Sequence, residues 1–211
     1  MNFELIISSF PKMLGAAVIT VKLLAFSLAI GLLIGLFFAV LRLNKNIFIN
    51  KFAYGYSYLF RGTPLLVQIY IIYFGLGQIE FIRSTFLWVI LKEPFWCGVL
   101  ALTINTVAYG SEIFRGGIQS VTKGQIESGL SLGFNKFMLL RKVILPIALR
   151  KVLPSYGNEL ILMVKATSLV SLTTYMEMTG IARKIMAKTF APVEAFIAAG
   201  ILYLFLNFLK F

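Results

Sequence analysis

The chain has 211 residues, of which 59% are hydrophobic and 13% are charged, and its formal net charge is +12. Soluble domains are roughly 45–50% apolar and about 25% charged, so the composition excludes an ordinary soluble protein and indicates an integral membrane protein with one domain, residues 1–211. The sequence contains neither Asp nor His, which excludes a Ser-His-Asp triad, and we expect no metal site and no catalytic residues.

The apolar runs predict five membrane-spanning helices, because a helix crosses the hydrocarbon core in about 20 residues. In chain order, the predicted spans lie within residues 14–41, 56–79, 94–114, 152–172 and 191–211. Inside the second span, Thr63 is expected to cap a helix and Pro64 to occupy its first position. No cleavable signal peptide is evident at the N-terminus, so we expect the first span to be retained. The sequence therefore predicts an all-α, polytopic membrane protein.

Lysine and arginine residues are distributed unequally between the two sides of these spans. The connections after the first and third spans contain ten of them: Arg42, Lys45, Lys51, Arg115, Lys123, Lys136, Arg141, Lys142, Arg150 and Lys151. The opposite side contains six: Lys12, Arg83, Lys92, Arg183, Lys184 and Lys188. Cytoplasmic loops usually contain the excess of basic residues, so we expect the N-terminus outside and the C-terminus in the cytoplasm.

The predicted cytoplasmic segment between the third and fourth spans, residues 115–150, mixes basic and apolar residues. Glu127 is expected in the first turn of a short helix, where a carboxylate favours the positive end of the helix dipole. Gly133 suits a break between two short helices, because glycine adopts a left-handed conformation at little cost. Two interpretations stay open: an amphipathic helix lying in the lipid headgroups, or a hairpin whose apolar face docks into a partner.

The second short helix is predicted from the spacing of its apolar residues. Phe134, Phe137 and Met138 stand at i, i+3 and i+4 and should form one apolar face. Leu145 and Pro146 should end this helix, because proline interrupts the hydrogen bonds of a helix interior.

The same stretch resembles the EAA loop of ABC importer permeases. That motif is Glu-Ala-Ala, three residues, Gly, nine residues, Ile, one residue and Leu-Pro. Glu127, Gly133 and Leu145-Pro146 stand in register, Ser128-Gly129 replaces the two alanines, and Val143 replaces the isoleucine. In that family the loop is the coupling helix, which seats in the ATP-binding subunit. The resemblance implies this role for Glu127, Gly133, Phe134, Phe137, Leu145 and Pro146.

Longer segments, at residues 61–77, 105–125 and 155–171, resemble the polar amino acid permeases, and the EPFWC run at 93–97 resembles the arginine and histidine permeases. The resemblance implies a type I ABC importer permease of the bacterial inner membrane, which transports polar amino acids: arginine first, then histidine, lysine or ornithine. Such permeases usually extend further at the C-terminus, so we expect a truncation or a short form.

The resemblance also implies the partners. These are ABC ATPase subunits, a periplasmic or lipid-anchored amino acid-binding protein, and a second permease subunit. ATP and Mg would be bound by the ATPase, and this chain is expected to bind no cofactor. In agreement, the sequence contains no G-x-x-x-x-G-K-[ST] loop to cradle phosphates.

Polar residues inside the predicted spans mark a candidate substrate pathway, because intramembrane polar groups are costly and by default functional. In the fourth span, Asn158 and Lys165 share one helix face, and Glu159 and Ala166 share another. A structural hydrogen bond of Glu159 and snorkelling of Lys165 stay open as alternatives. The candidate pathway residues are Gln68, Asn105, Asn158, Glu159, Lys165 and Ser168.

Two further expectations concern pairing. In the third span, Glu112 is placed to pair with Arg115. Many polar amino acid permeases have an acid immediately after the span-four lysine, but here that residue is Ala166. The resemblance therefore favours a heterodimer with a better equipped sister permease, with a homodimer as the alternative.

Two rival functions remain. An ion-driven secondary amino acid transporter could use Glu159 as its ion site, although no internal repeat of the kind many such folds contain is found. A membrane-embedded enzyme is disfavoured by the thin catalytic inventory. We expect a translocation subunit and not an enzyme.

Overall fold

The computed structural model describes residues 3–208, and every regular element in that range is helical. The α-helices are α1 (Phe3–Arg42), α2 (Ile47–Gly62), α3 (Leu65–Tyr70), α4 (Glu80–Arg83), α5 (Leu87–Leu91), α6 (Pro94–Gln119), α7 (Lys123–Ser131), α8 (Lys136–Leu139), α9 (Leu145–Ala166), α10 (Met178–Thr189) and α11 (Pro192–Phe208). Segments Ile71–Gly75 and Leu140–Ile144 are π-helical, and Leu76–Gln78 and Thr167–Leu172 are 3₁₀-helical. The prediction of an all-α protein is confirmed.

Among the described residues, two helices are long and apolar enough to cross a membrane, α1 and α6. They contain the first and third predicted spans. The fourth predicted span corresponds to the more polar α9 and the 3₁₀ segment after it. The fifth corresponds to α11, a shorter apolar helix, and its predicted last residues, 209–211, lie outside the described range.

The second predicted span is not one straight helix. It is broken between α2 and α3, and only the bent pair formed by Ile47–Gly62 and Leu65–Gln78 would count as a third span. Pro64 lies at the N-cap of α3, one position earlier than predicted, and no side chain caps that helix. The residue before a proline is disfavoured in the α conformation, which explains why the break falls at Thr63.

The contacts divide the chain into two compact units. The first contains residues 1–29, 63–103 and 161–211. Its core joins the first part of α1 to α10 and α11 and is rich in alanine and methionine: Ile6, Met13, Ala16, Met178, Ala182, Ile185, Ala195, Ala198, Ala199 and Leu202. Small residues at helix contacts let backbones approach closely, which is how helices associate in lipid.

The second unit contains Ile30–Gly62 and Ile104–Leu160. Its helices are joined by hydrogen bonds between α2 and α6. The Tyr56 hydroxyl donates to the Ile104 carbonyl oxygen at 2.8 Å, and the Ser57 and Ser111 hydroxyls lie 2.9 Å apart. The expectation of a single domain over residues 1–211 stays a prediction.

Candidate coupling and translocation sites

The predicted hairpin is present in the second unit as two short helices, α7 and α8. A capping box opens α7: Thr122 Oγ1 accepts from the Gln125 N–H at 3.4 Å, and Gln125 Oε1 accepts from the Thr122 N–H at 3.0 Å. Gly133 follows with φ of +76°, which confirms the predicted left-handed break. Asn135 then caps α8 by accepting from the Met138 N–H at 2.9 Å.

Two predicted details of this hairpin are wrong. Glu127 lies in the second turn of α7, because the capping box makes Lys123 the first helical residue. Phe134 precedes Asn135, the N-cap of α8, so it does not share a helix face with Phe137. The three apolar residues have helical spacing, but the cap at Asn135 makes α8 begin after Phe134.

Leu145 and Pro146 do not end a helix, contrary to the prediction. The π-helical segment after α8 continues into α9, which begins at Leu145. The Leu145 N–H donates to the carbonyl oxygen of Leu140, five residues back. Pro146 then falls in the first turn of α9, where a missing N–H costs little. The shifted hydrogen-bond register before it accommodates the proline ring.

The hairpin has a packed inner side and an apolar outer side. Inside, the position of a Cβ at Gly129 would lie against Leu139 and Val143, so the absence of a side chain allows α7 to pack against α8 and the π-helical segment that follows it. Outside, Leu132 is 72% exposed and Phe137 is 68% exposed. Exposed apolar groups gathered at one place are typical of an interaction site.

An ion-paired cluster lies at the end of α1. Arg42 Nε and Glu112 Oε1 are 2.9 Å apart, and Arg115 Nη2 and Glu112 Oε2 are 2.6 Å apart. Arg42 also donates from Nη1 to Asn50 Oδ1 at 2.7 Å. The predicted pair of Glu112 and Arg115 is confirmed, whereas the sequence did not predict Arg42. The cluster ties α1, the start of α2 and α6 together.

A cavity of about 290 Å³ adjoins this cluster, and it is lined by Tyr54, Ser57, Tyr58, Arg61, Gly62 and Glu112. The guanidinium carbon of Arg61 lies 5.4 Å from the ring centroid of Tyr109, and that of Arg42 lies 4.8 Å from the ring of Tyr54. Both arginines are therefore held by attraction to an aromatic face. The cavity is lined by the Arg61 guanidinium, hydroxyl groups and aromatic surface, and by the Glu112 carboxylate, which is already paired with Arg42 and Arg115.

Glu159 is buried in α9, with 5% of its surface exposed, whereas Asn158 beside it is exposed. Within residues 3–208 the Glu159 carboxylate makes no hydrogen bond or ion pair, so the structural hydrogen bond considered for it is not found there. Asn105 is also buried, and its Nδ2 donates to the Phe60 carbonyl oxygen at 3.5 Å.

The other candidate pathway residues lie in the first unit. Gln68 is buried and donates from Nε2 to Thr63 Oγ1 at 2.8 Å and to the Thr63 carbonyl oxygen at 3.1 Å, so it stabilises the turn at the helix break. Lys165 is exposed, and the Ser168 hydroxyl donates to its carbonyl oxygen at 2.6 Å. A pathway role for all six residues stays a prediction.

Sequence reasoning missed Glu177. This residue is fully buried and caps α10, accepting from the Gly180 N–H at 3.0 Å through Oε1. Its Oε2 accepts from the Tyr203 hydroxyl at 2.6 Å and lies 3.4 Å from Thr20 Oγ1. Glu is an uncommon N-cap, so the usual start signals, Ser, Thr, Asp or Asn, were absent.

Comparison with known proteins places the chain in a family. Residues 31–210 match the family described as the binding-protein-dependent transport system inner membrane component. The nopaline transport system permease protein of Agrobacterium fabrum is 48% identical over 99% of this chain and 87% of its own length. The octopine transport system permease protein of Rhizobium meliloti is 46% identical over 95% and 82%, and the histidine/lysine/arginine/ornithine transport system permease protein of Escherichia coli K12 is 43% identical over 90% and 80%.

Solved structures of ABC transporters also match this chain. The chain superposes on a crystal structure of an amino acid ABC transporter with histidines, with a TM-score of 0.87, 35% identity, and coverage of 100% of this chain and 94% of that one. An inward-facing structure of the methionine ABC transporter MetNI matches in fold, with a TM-score of 0.70 and 18% identity over the same shares. The chain therefore belongs to the family of binding-protein-dependent transport system inner membrane components, and it is a multi-pass inner-membrane permease with the type I ABC importer fold.

Proposed function

We propose that this chain is the permease subunit of an ATP-driven importer for amino acids with a cationic side chain, arginine first, then histidine, lysine or ornithine. The relatives are permeases of nopaline, octopine and histidine/lysine/arginine/ornithine transport systems, which supports this substrate class. The observation that carries the choice within the molecule is the buried Glu159 carboxylate without a hydrogen-bond donor among the described residues. A guanidinium or ammonium group would supply that donor through a charge-assisted hydrogen bond.

The hairpin of α7 and α8 couples the permease to separate ATPase subunits, which bind ATP and Mg. The exposed Leu132 and Phe137 supply an apolar face for such docking, and Gly133 sets the geometry of the turn between the two helices. A helix that presents an apolar face to a groove is a common mode of protein recognition. A periplasmic or lipid-anchored binding protein delivers the amino acid, in keeping with the family description.

The permease pairs with a second, different permease subunit. The support is Ala166, the last residue of α9, which lies seven positions after Glu159 and on the same helix face. One carboxylate on that face makes a poorer site for a cation than two, so two copies of this chain would be poorly equipped. Full substrate-stimulated ATP hydrolysis by this chain with only the ATPase and the binding protein would contradict the heterodimer and favour a homodimer.

The N-terminus faces the outside and the C-terminus faces the cytoplasm, so the hairpin faces the ATPase. The excess of basic residues on the hairpin side supports this orientation. Cysteine labelling in intact cells with a membrane-impermeant reagent tests it, with Ser131→Cys on the hairpin and Ser84→Cys before α5. Labelling of Ser84→Cys alone agrees with the proposed orientation, and labelling of Ser131→Cys alone reverses it.

Uptake into proteoliposomes tests the function. The complete complex should take up labelled arginine only with ATP inside the vesicles and binding protein outside, and unlabelled histidine, lysine, ornithine, octopine or nopaline should reveal the substrate range as competitors. Glu159→Gln should raise the KM for arginine about tenfold, the usual size of one lost charge-assisted hydrogen bond. Glu80→Gln, an exposed glutamate outside α9, serves as the matched control and should leave KM unchanged.

The possible outcomes separate the proposals. Competition by glutamine or glutamate alone would contradict the cationic substrate class while leaving the ATP-driven importer intact. Uptake driven by an ion gradient without the ATPase would instead favour the secondary transporter, for which the comparisons lend no support.

A further inference from the structure

A second cavity, of about 210 Å³, lies in the first unit, and none of its lining residues is a candidate pathway or hairpin residue. Its lining is Lys12 of α1 together with Ile181, Lys184, Ile185 and Lys188 of α10. Three of the five lining residues are lysines, and none is acidic. Among residues 3–208, no ion pair joins any of the three lysines to a carboxylate.

The cavity lined by these lysines lies against the apolar core of the first unit. Ile185 is buried and belongs to the core cluster that also contains Met13 and Ala16 of α1. Lys184 and Lys188 are four residues apart on α10, so their side chains project from the same helix face. Like charges held together destabilise each other unless an anion lies between them. The cavity is therefore suited to a bound anion.

The length of α1 indicates where the cavity lies relative to the hydrocarbon core. Lys12 precedes Arg42 by 30 residues on this helix, which corresponds to about 45 Å along the helix axis and exceeds the hydrocarbon core of roughly 30 Å. Lys12 and Arg42 therefore lie at opposite faces of the membrane. Lys12 stands two residues before the predicted first span, at the level of the lipid headgroups.

An apolar strip leads from the cavity towards the membrane interior. Gly15, one turn beyond Lys12, has no atom within 4 Å of the position of a Cβ, so the helix surface is open there. Leu14 and Val18 beside it are exposed. A headgroup anion with an attached hydrocarbon chain would use both the lysines and this strip, whereas an acidic protein surface would use only the lysines.

We propose that this cavity binds the phosphate headgroup of an anionic phospholipid, with an acyl chain along Gly15. In the orientation proposed above, this end of α1 lies outside. Basic residues are depleted on that side of membrane proteins, yet three of the six predicted there line this one cavity, which favours an anionic ligand. The proposal uses none of the candidate pathway residues and none of the hairpin residues.

The test uses the full chain purified with its partner subunits and placed in nanodiscs of phosphatidylcholine, with or without phosphatidylglycerol. Native mass spectrometry counts the phosphatidylglycerol molecules retained by each complex. The wild type should retain phosphatidylglycerol in preference to phosphatidylcholine. K12Q/K184Q/K188Q should bind it about 100-fold more weakly, because each lysine near a membrane surface contributes roughly a fivefold factor.

Two matched variants complete the experiment. K12R/K184R/K188R keeps the charge and should retain the lipid as the wild type does. K45Q/K51Q/K92Q removes the same charge from exposed lysines elsewhere and should also retain it. The difference between wild type and K12Q/K184Q/K188Q should shrink at high salt, because exposed charges are screened.

Several results would overturn the proposal. Equal retention of both lipids by the wild type, or undiminished retention by K12Q/K184Q/K188Q, removes the lipid site. Displacement of the lipid by millimolar inorganic phosphate would show a site for free anions instead. Weakened affinity of K12Q/K184Q/K188Q for the binding protein, with lipid retention unchanged, would identify the cavity as a protein contact.

Discussion

Replacing Gly133 with valine tests whether the turn between α7 and α8 transmits ATP-driven motion. The φ of +76° at this residue is open to glycine, whereas it costs an L-residue about 1–2 kcal/mol and a β-branched residue more. No atom lies within 4 Å of the Cβ position, so the valine meets no steric obstacle and the backbone term accounts for the cost. At about 2 kcal/mol, the native turn becomes roughly 30-fold less populated relative to its alternatives.

Gly124 provides the matched control. It also lies in the hairpin and is exposed, and no atom lies within 4 Å of its Cβ position, but its backbone is helical. Gly124→Val therefore adds the same atoms to the same hairpin without a positive φ. Gly133→Asn supplies a second comparison, because asparagine visits the left-handed region more readily than valine.

The assay measures arginine uptake and ATP hydrolysis in proteoliposomes, together with the amount of ATPase that co-purifies with the permease. Gly133→Val should insert into the membrane normally and lose about tenfold or more of its ATP-driven uptake. Gly124→Val should transport like the wild type, and Gly133→Asn should lie between the two. Wild-type uptake by Gly133→Val with the ATPase retained would refute the coupling role, and equal losses in both valine variants would show that φ is not the cause.

Three further substitutions test the packing of the helices by thermal unfolding in detergent. Gly117→Ala should lower the free energy of unfolding by about 1–3 kcal/mol, because its Cβ would overlap Val152, whereas Gly116→Ala on the open side of α6 should be neutral or stabilising by up to about 1 kcal/mol. Glu112→Ala leaves two arginines without their shared carboxylate and should cost about 3 kcal/mol. Glu177→Ala leaves a buried N–H and a hydroxyl without an acceptor and should cost about 2–4 kcal/mol. Unchanged unfolding of Gly117→Ala, Glu112→Ala or Glu177→Ala contradicts the contact assigned to that residue, whereas Gly116→Ala is the control that should not destabilise.

The elements that follow from local rules could be predicted from the sequence. The apolar runs within α1 and α6, at residues 14–41 and 94–114, are long enough for a membrane span, and neither contains a proline beyond its first residue. The break at Gly133 could be predicted as well, because glycine adopts the left-handed conformation at little cost and this glycine stands in register with the glycine of the EAA motif. In each of these cases the structure follows from one residue or from one continuous apolar run, without contacts to distant parts of the chain.

Helix boundaries near Pro64 and Pro146 could not be predicted correctly, although both prolines were noticed. Proline suits the first turn of a helix and is disfavoured in its interior, yet Pro11 and Pro154 lie inside α1 and α9. A single sequence therefore does not decide whether a helix ends before a proline, begins around it or continues through it. At Thr63-Pro64 the chain breaks, whereas before Pro146 a π-helical turn keeps the chain helical. The choice depends on hydrogen bonds made by residues several positions away.

The buried carboxylates show where sequence reasoning stops and what the structure adds. Glu112, Glu159 and Glu177 all lie within helical segments of the membrane protein or at their ends. The sequence predicts the Arg115 partner of Glu112, three residues away, but not Arg42 or the Tyr203 partner of Glu177, because these two are far away in the chain. In the structure both oxygens of Glu112 accept from arginines, and both oxygens of Glu177 accept from hydrogen-bond donors. These two carboxylates are used in holding helices together. Within residues 3–208, Glu159 alone of the three is left for a ligand, which is why a cationic amino acid is the substrate to test first.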